Sequence, residues 1–391
     1  MVTYLRRMVA PRLGVIADDL TGSCDAGVKF AQRGFSSVVR LDLAPASPTE
    51  LVILCTHSRD DPPDVARGKV RQACELLIGE HREVVYKKID SALRGNIWPE
   101  LEEAMKCCGC SLGIVAPAFP ALGRAMQGGW LQIAGAPSLS PVHVPTLLQR
   151  QGAQSVIHVE GSLLRSDPRK LIDRLEEASA TAASTIAVID AVSQHDLELI
   201  VSAVVELPSR CLMAGSAGLA AELANILAKE FGRGTSTHYP VSGASCGHVL
   251  LILGSTHPVT AAQVRYLVAT RPTAVVEYPG RSLEKGQSHL IVNLARSDRG
   301  PDLGALATIL ADSTYHGVIL SGGDTADRVC RALKVDGIRL DQEIMPGIPL
   351  GRFEGGCVDG MAVVTKAGGF GREGALTVAV DLLSAQERPP R

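Results

Sequence analysis

Short β-branched runs alternate with helix-patterned stretches throughout this chain, and that rhythm limits its fold more than any other feature. "RLGVIADD" at 12–19 is an apolar run ending in acids, and "CDAGVKFAQRG" after it has helical spacing with a glycine stop. "SSVVRLDL" and "ELVILCTHSR" are further strand candidates, and "DPPDVARGKVRQACELLIGE" reads as a helix with proline near its start. "REVVYKKID", "SLGIVAPAFP", "STIAVIDA" and "SRCLMAGSAG" continue the series. Such a βαβα order predicts an α/β fold of mostly parallel sheets flanked by helices. Residues 121–160 break the rhythm and read as a hairpin or loop excursion.

A chain of 391 residues is too long for one ordinary core, so two domains are expected. The Gly/Ser/Thr-rich stretch "FGRGTSTHYPVSGASCG" at 231–247 has no apolar period, which places a linker at 236–246 between domains 1–235 and 247–391. The rhythm then restarts with "HVLLILGS", "AVVEYP", "SHLIVNLA", "HGVILSGGDT", "GIRLDQEI" and "MAVVTKAGGFG". Net charge is −2, which favours neither nucleic acid nor an anionic membrane as a partner. No run of eighteen apolar residues occurs and "LGVI" is too short for a signal-peptide core, so a cytoplasmic protein is expected. Ten cysteines include one C-x-x-C, Cys107 to Cys110, without the second pair that a structural zinc site needs. Buried free thiols are the expectation, and no protein ligand set for a metal is expected.

Ligands of open parallel sheets bind at the carboxyl ends of the strands. In the first half those ends carry Asp18 and Asp19; His57, Ser58 and Arg59; Lys87, Lys88, Asp90, Ser91 and Arg94; and Pro117 to Arg124. Arginine and lysine can hold a carboxylate while acids accept from hydroxyls, so the set suits a small, anionic, polyhydroxylated molecule. Alternation along a strand puts only one of Lys87 and Lys88 in the crevice. A plainer explanation of "DDLTGSCDAG" is a helix start capped by Thr21 or Ser23, but a cap needs one polar side chain and not two adjacent carboxylates. Asp25 is expected on the helix surface or behind the site.

Strand ends of the second half are glycine-rich instead: "LGST" with Ser255, "SGGDT" with Ser321, Gly322, Gly323 and Asp324, and "KAGGFG" with Gly368 and Gly369. Glycine loops let backbone N–H groups approach phosphate oxygens. Each loop alone could be a tight turn, and none matches the Walker or Rossmann pattern. Charged side chains in one half and phosphate-cradling backbone in the other point to phosphoryl transfer between a nucleotide and a small acid.

Taken in order, "IADDLTGSCDAGVKFAQRG", "THSRD", "YKKIDSALRGN", "APAFPALGR", "AGSAGLA", "GSTHPVTAAQ", "SGGDTADRV", "PGIPLG" and "TKAGGFG" resemble the four-carbon acid sugar kinase family. The resemblance runs from about residue 13 to about residue 380. It implies ATP-dependent phosphorylation of threonate, erythronate or 3-oxo-tetronate, with an acid-sugar-binding N-terminal domain and an ATP-binding C-terminal domain. The active site would then lie in the interdomain cleft. By motif, Asp18 or Asp19, Arg59 and Lys87 to Ser91 belong to the sugar site, and Ser255, Ser321 to Asp324 and Gly368 to the nucleotide site. Ala92 stands where the family usually has threonine, and Cys24 where it often has asparagine. "LGSTH" replaces a common "SGSCS", and "AGAPSLSP" replaces "VDG-x-P".

These readings make a kinase of a small sugar acid the expected function, with ATP and Mg²⁺ as cofactors and a homodimer as the expected assembly. Arg59 with a lysine or Arg94 would hold the carboxylate, and Asp19, Asp90 and Asp324 are rival candidates for the base. A non-catalytic sugar-acid sensor and an α/β dehydrogenase are the alternatives. Intact acids argue against the first, and the missing G-x-G-x-x-G against the second.

Overall fold

A computed structural model of the chain describes residues 11–42, 48–134, 140–181, 184–234, 247–271, 273–277, 289–293, 310 and 315–385. The chain divides into two compact units, residues 1–36 with 45–235 and residues 37–44 with 236–391. The expected linker at 236–246 lies outside the described residues.

In the first unit a parallel sheet is built from β1 (Leu13–Ala17), β3 (Leu51–Cys55), β4 (Glu83–Lys88), β5 (Leu112–Ala116), β9 (Val156–Val159), β10 (Thr185–Ile189) and β11 (Cys211–Gly215). Its order is β3-β1-β4-β11-β5-β10-β9, and every pairing is parallel. All of β1, β3, β5, β10 and β11 is buried. A fully buried Leu or Ile side chain contributes about 1.5–3 kcal/mol. An unpaired buried ion costs several kcal/mol, so charge collects where the strands end. Helix and strand pack closely at Gly14, where an added Cβ would come within 2.9 Å of Leu77.

The helix Leu20–Ala31 starts earlier than its sequence pattern suggests, and all twelve of its residues are buried. Asp25 is therefore buried, facing Lys29 at 4.0 Å, and does not lie on a helix surface. The excursion after residue 121 is a small antiparallel sheet, β6 (Arg124–Gln127), β7 (Trp130–Ile133) and β8 (Val142–His143). The α/β rhythm resumes before residue 160, because β9 is the edge strand beside β10.

In the second unit the sheet order is β13-β14-β12-β15-β18-β17-β16-β2. Here β2 is Ser37–Arg40, β12 is His248–Leu253, β13 is Ala274–Glu277 and β14 is His289–Asn293; β15 is Tyr315–Ser321, β16 is Gly337–Met345, β17 is Ile348–Glu354 and β18 is Ala362–Lys366. From β13 to β18 the pairings are parallel, and β18-β17-β16-β2 are antiparallel. The β16–β17 hairpin turns at Pro346–Gly347, where Gly347 has φ +78°. β2 groups with this unit because it pairs with β16. Its short β-branched run carries no mark of which edge it will join.

Two glycines test the packing in opposite directions. An alanine at Gly215 would collide with the Ala116 carbonyl and meet Tyr86 Oη at 2.8 Å, whereas one at Gly68, inside the helix Pro63–Gly79, would meet nothing within 4 Å. Gly215→Ala should lower stability by about 1–3 kcal/mol. Gly68→Ala should raise it by about 0.5–1 kcal/mol. Urea unfolding of both variants beside the parent measures the two signs.

Candidate active site

Register decides which strand ends meet. Ala17 lies beside Cys55 on one side and Lys88 on the other, so Asp18, Thr56–Arg59 and Ile89–Asp90 leave the sheet at one height. Arg59 ties the three segments together. Its Nε donates to Asp18 Oδ2 at 2.7 Å, its Nη2 donates to Asp19 Oδ1 at 2.7 Å, and Nη2 lies 3.7 Å from Asp90 Oδ1. Burial disfavours this guanidinium's charge, but Asp18, Asp19 and Asp90 outweigh it and raise its pKa.

Asp19 is the N-cap of the helix Leu20–Ala31, a place that the plainer of the two sequence readings gave to Thr21 or Ser23. Its Oδ1 accepts from Gly22 N and its Oδ2 from Thr21 Oγ1. Asp90 accepts from Arg94 Nε at 2.7 Å, Arg94 Nη2 at 3.2 Å and the Arg94 backbone N at 3.2 Å. Burial would raise Asp90, yet Arg94 and Arg59 hold it well below the usual carboxylate range. Asp18 is likewise held low against its burial, by Arg59, Lys87 and Lys88. Among the described residues, Asp18 Oδ1 is buried and has no hydrogen-bond partner. An anionic oxygen in that condition is suited to a ligand donor.

The two lysines part company as strand alternation requires. Lys87 is fully buried, with Nζ 2.7 Å from Glu100 Oε2, and Glu100 Oε1 accepts from Ser58 Oγ at 2.8 Å. Lys88 Nζ donates to the Ile89 carbonyl and sits beside Gly22, where an added Cβ would lie 3.2 Å from it and would collide with Asp19. Ser91 is buried next to Asp90, and the Arg94 side chain is 67% exposed. Gly95 (φ +87°) brings the turn against Arg59, whose carbonyl would lie 2.9 Å from a Cβ there. Asn96 Nδ2 then donates to the Ser58 and Asp61 carbonyls.

Sequence reading missed Glu100, although a signal was present. Ile97, Leu101, Ala104, Met105 and Cys108 form the buried stripe of the helix Ile97–Cys108, and Glu100 is an acid set on that stripe. Burial, and then Asp18, raise its pKa against the pull of Lys87. Arg124 also belongs here. It lies within electrostatic reach of Asp90 and Asp25, and burial pushes its guanidinium down. Within this cluster Arg59, Arg94, Arg124, Lys87 and Lys88 face Asp18, Asp19, Asp90 and Glu100, so one positive charge is in excess.

The second unit repeats the register logic with backbone in place of charge. Leu253 lies beside Ser321 and Ser321 beside Lys366, so Gly254–Ser255, Gly322–Asp324 and Ala367–Gly369 emerge together. Gly254 N donates to the Ser321 carbonyl and Gly322 N to the Lys366 carbonyl. Gly322 has φ +105° and opens the helix Gly323–Ala332, whose first turn carries the exposed Asp324. A Cβ on Gly368 would collide with Ser255 Oγ, and one on Gly369 would sit 3.1 Å from His257 Nε2. Ser321 Oγ is buried with no partner among the described residues. These three loops offer amides, hydroxyls and a helix N-terminus, the donor set that phosphate groups take.

None of the described cysteines is in a disulfide, and most are buried. No cluster that could hold a metal ion occurs among the described residues, and no described helix is long and apolar enough to cross a membrane.

Two stability measurements test the buried charges. Glu100→Gln should cost about 3–5 kcal/mol by stranding Lys87, and the double change with Lys87→Met should recover much of that loss. Asp18 and Asp90 titrate below the ~3.9 of an unfolded Asp, so their stabilisation is complete above that pH and is lost as pH falls through their folded values. Asp90→Asn should therefore be less stable than the parent at neutral pH and decline less between pH 4 and pH 2, roughly one carboxylate's share, in urea titrations.

Residues 13–223 match the family described as a sugar-binding N-terminal domain, and residues 273–376 match a nucleotide-binding C-terminal domain. A D-threonate kinase of Bordetella bronchiseptica is 30% identical, aligned over 96% of this chain and 98% of its own length. A D-threonate kinase of Salmonella typhimurium is 31% identical over 94% of this chain and 97% of its own. The solved structure of Haemophilus influenzae protein HI1011 shares the fold, with a TM-score of 0.71 at 21% identity over 95% of this chain and all of that one. The chain belongs to the four-carbon acid sugar kinase family.

Proposed function

We propose that this chain is an ATP-dependent kinase that phosphorylates a hydroxyl of a four-carbon sugar acid, with threonate the first acid to test. The observation that carries the substrate side is Asp18 Oδ1, a buried anionic acceptor with no hydrogen-bond partner among the described residues. It lies beside an arginine already oriented by two aspartates. A substrate hydroxyl donating to Asp18 would satisfy it. The single excess cation matches a single substrate carboxylate, and Arg94, whose side chain is mostly exposed, is placed to receive it with Arg124.

The acids divide by what already occupies them. Asp19 is engaged by Gly22, Thr21 and Arg59, and Asp90 by Arg94 and Arg59. Both therefore serve better as clamps for the arginines than as proton acceptors. Asp18 has a free oxygen and is the proton acceptor we favour. Phosphoryl transfer asks little of a base, because its loose transition state gains most from positioning and charge stabilisation. Lys87 and Glu100 act from behind, fixing the end of β4 beside Asp18.

ATP is assigned to the second unit, with its phosphates on the amides around Ser255, Ser321–Gly323 and Gly368–Gly369. Mg²⁺ binds through one or two carboxylates together with substrate phosphates, so a pre-built cluster is not required. Asp324, exposed at the glycine loop, would hold it, and the ion would supply charge neutralisation at the phosphates. Ala92, half-buried in the "DSALRGN" turn, is the position we assign to substrate choice within the class. A homodimer is the assembly we expect, checked by light scattering.

An ADP-release screen over C3 to C6 sugar acids, keto acids included, tests the assignment: turnover should peak with a four-carbon acid, and no turnover with any acid would remove it. Asp18→Asn should lower kcat by about 10²–10⁴-fold if Asp18 takes the proton. Asp90→Asn and Asp324→Asn should raise the KM for sugar acid and for MgATP respectively. Full turnover in Asp18→Asn would return the base role to one of the other acids.

A further inference from the structure

Lys366 ends β18 and is fully buried, with no carboxylate at its Nζ in any described ion pair. It was passed over in the sequence as the residue before a glycine loop. Its Nζ donates to the carbonyls of Ala367 at 3.0 Å, Gly368 at 3.0 Å and Phe370 at 3.2 Å, and lies 3.3 Å from Thr260 Oγ1. Thr260 Oγ1 itself donates to the Gly368 carbonyl at 2.8 Å. One helical turn on, Gln263 Nε2 donates to the carbonyls of Phe370, Gly371 and Arg372, each at 3.0 Å. Five carbonyls between 367 and 372 are thus drawn onto three side chains, two of them from the helix Pro258–Thr270.

A trans peptide points its C=O and N–H in opposite directions. Pulling the carbonyls of 367, 368, 370, 371 and 372 inward therefore turns the N–H groups of Gly368, Gly369, Gly371, Arg372 and Glu373 away from Lys366 and Gln263. Backbone N–H groups turned outward along a loop are donors open to an anion. Gly368 and Gly369 pack against Ser255 and His257 of the loop after β12.

We infer that Lys366, with Thr260 and Gln263, is a positioning group that holds this loop inside out, so that its amides bind the polyphosphate of a nucleotide that Lys366 itself never touches. This rests on the nucleotide reading of the second unit. Burial pulls the Lys366 ammonium down to about 7, so the lysine is held at a cost to its charge and the loop carbonyls are what it gains in return. A lysine kept only for solubility or for a surface pair would not be placed there.

The test uses the full chain, with calorimetric titration of ADP and steady-state kinetics. Lys366→Met, which keeps the volume, should weaken ADP binding and raise the KM for ATP about tenfold or more, the scale of one lost buried hydrogen-bonding partner. The KM for sugar acid should stay within about twofold of the parent value, since that site uses other residues. Lys366→Gln, whose amide still donates two bonds, should fall between parent and Lys366→Met. Thr260→Val provides the second arm if Lys366→Met does not fold, and should move ADP affinity in the same direction by less. Unchanged ADP affinity in a folded Lys366→Met, or in Thr260→Val where that arm is needed, overturns the inference and leaves the kinase reading standing. Equal losses for ADP and sugar acid also overturn it, because they mark a general loss of structure. A parent protein that binds no ADP removes both the inference and the nucleotide site on which it rests.

Discussion

The Arg59 guanidinium, buried against Asp18 and Asp19 and facing Asp90, is the interaction on which the first unit's charge cluster depends. Three carboxylates this close would repel one another, and burial would drive some to protonate. Arg59 set among them, with Arg94 on Asp90 and the lysines near Asp18, reverses both tendencies and holds Asp18 and Asp90 below the usual carboxylate range. Lys87 and Glu100 repeat the arrangement one layer deeper. The result is a cluster in which nearly every charge is matched and the remainder is positive. Electrostatic preorganisation of this kind costs no rearrangement when the reaction begins.

The second unit answers the opposite problem. There the loops after β12, β15 and β18 offer backbone dipoles in place of paired charges. Their close approach depends on small residues: side chains at Gly254 or Gly368 would run into Thr325 and Ser255 respectively. Lys366, a buried cation at the last of these loops, spends its hydrogen bonds on carbonyls. A parallel sheet serves both units in the same way, by ending neighbouring strands at one level so that short, chemically different loops converge.

Reading from sequence to structure worked best where periodicity and punctuation coincide. Most of the β-branched runs became parallel strands, and the polar residues after them leave each sheet at a common height. It failed where partner choice matters. "SSVVRLDL" looked like a first-domain strand, but β2 pairs with β16 and groups with the second unit. "PGIPLG" was visible as a motif, while its role as the second strand of the β16–β17 hairpin was not. Glu100 and Lys366 were missed for a shared reason. Each looks ordinary beside its neighbours in sequence, and each gains its meaning from burial against something distant along the chain or folded back onto it.

By itself the sequence determined the α/β class, the division into a charge-rich half and a glycine-rich half, and the family. Those follow from local rules: strand and helix periods, turn residues, and motifs read in order. Only the tertiary structure decided which aspartate is a helix cap, which is held by Arg94, and which keeps a buried oxygen with no partner among the described residues. A carboxylate's chemistry is set by its burial and by the charges within a few ångströms of it, and strand register alone brings those together.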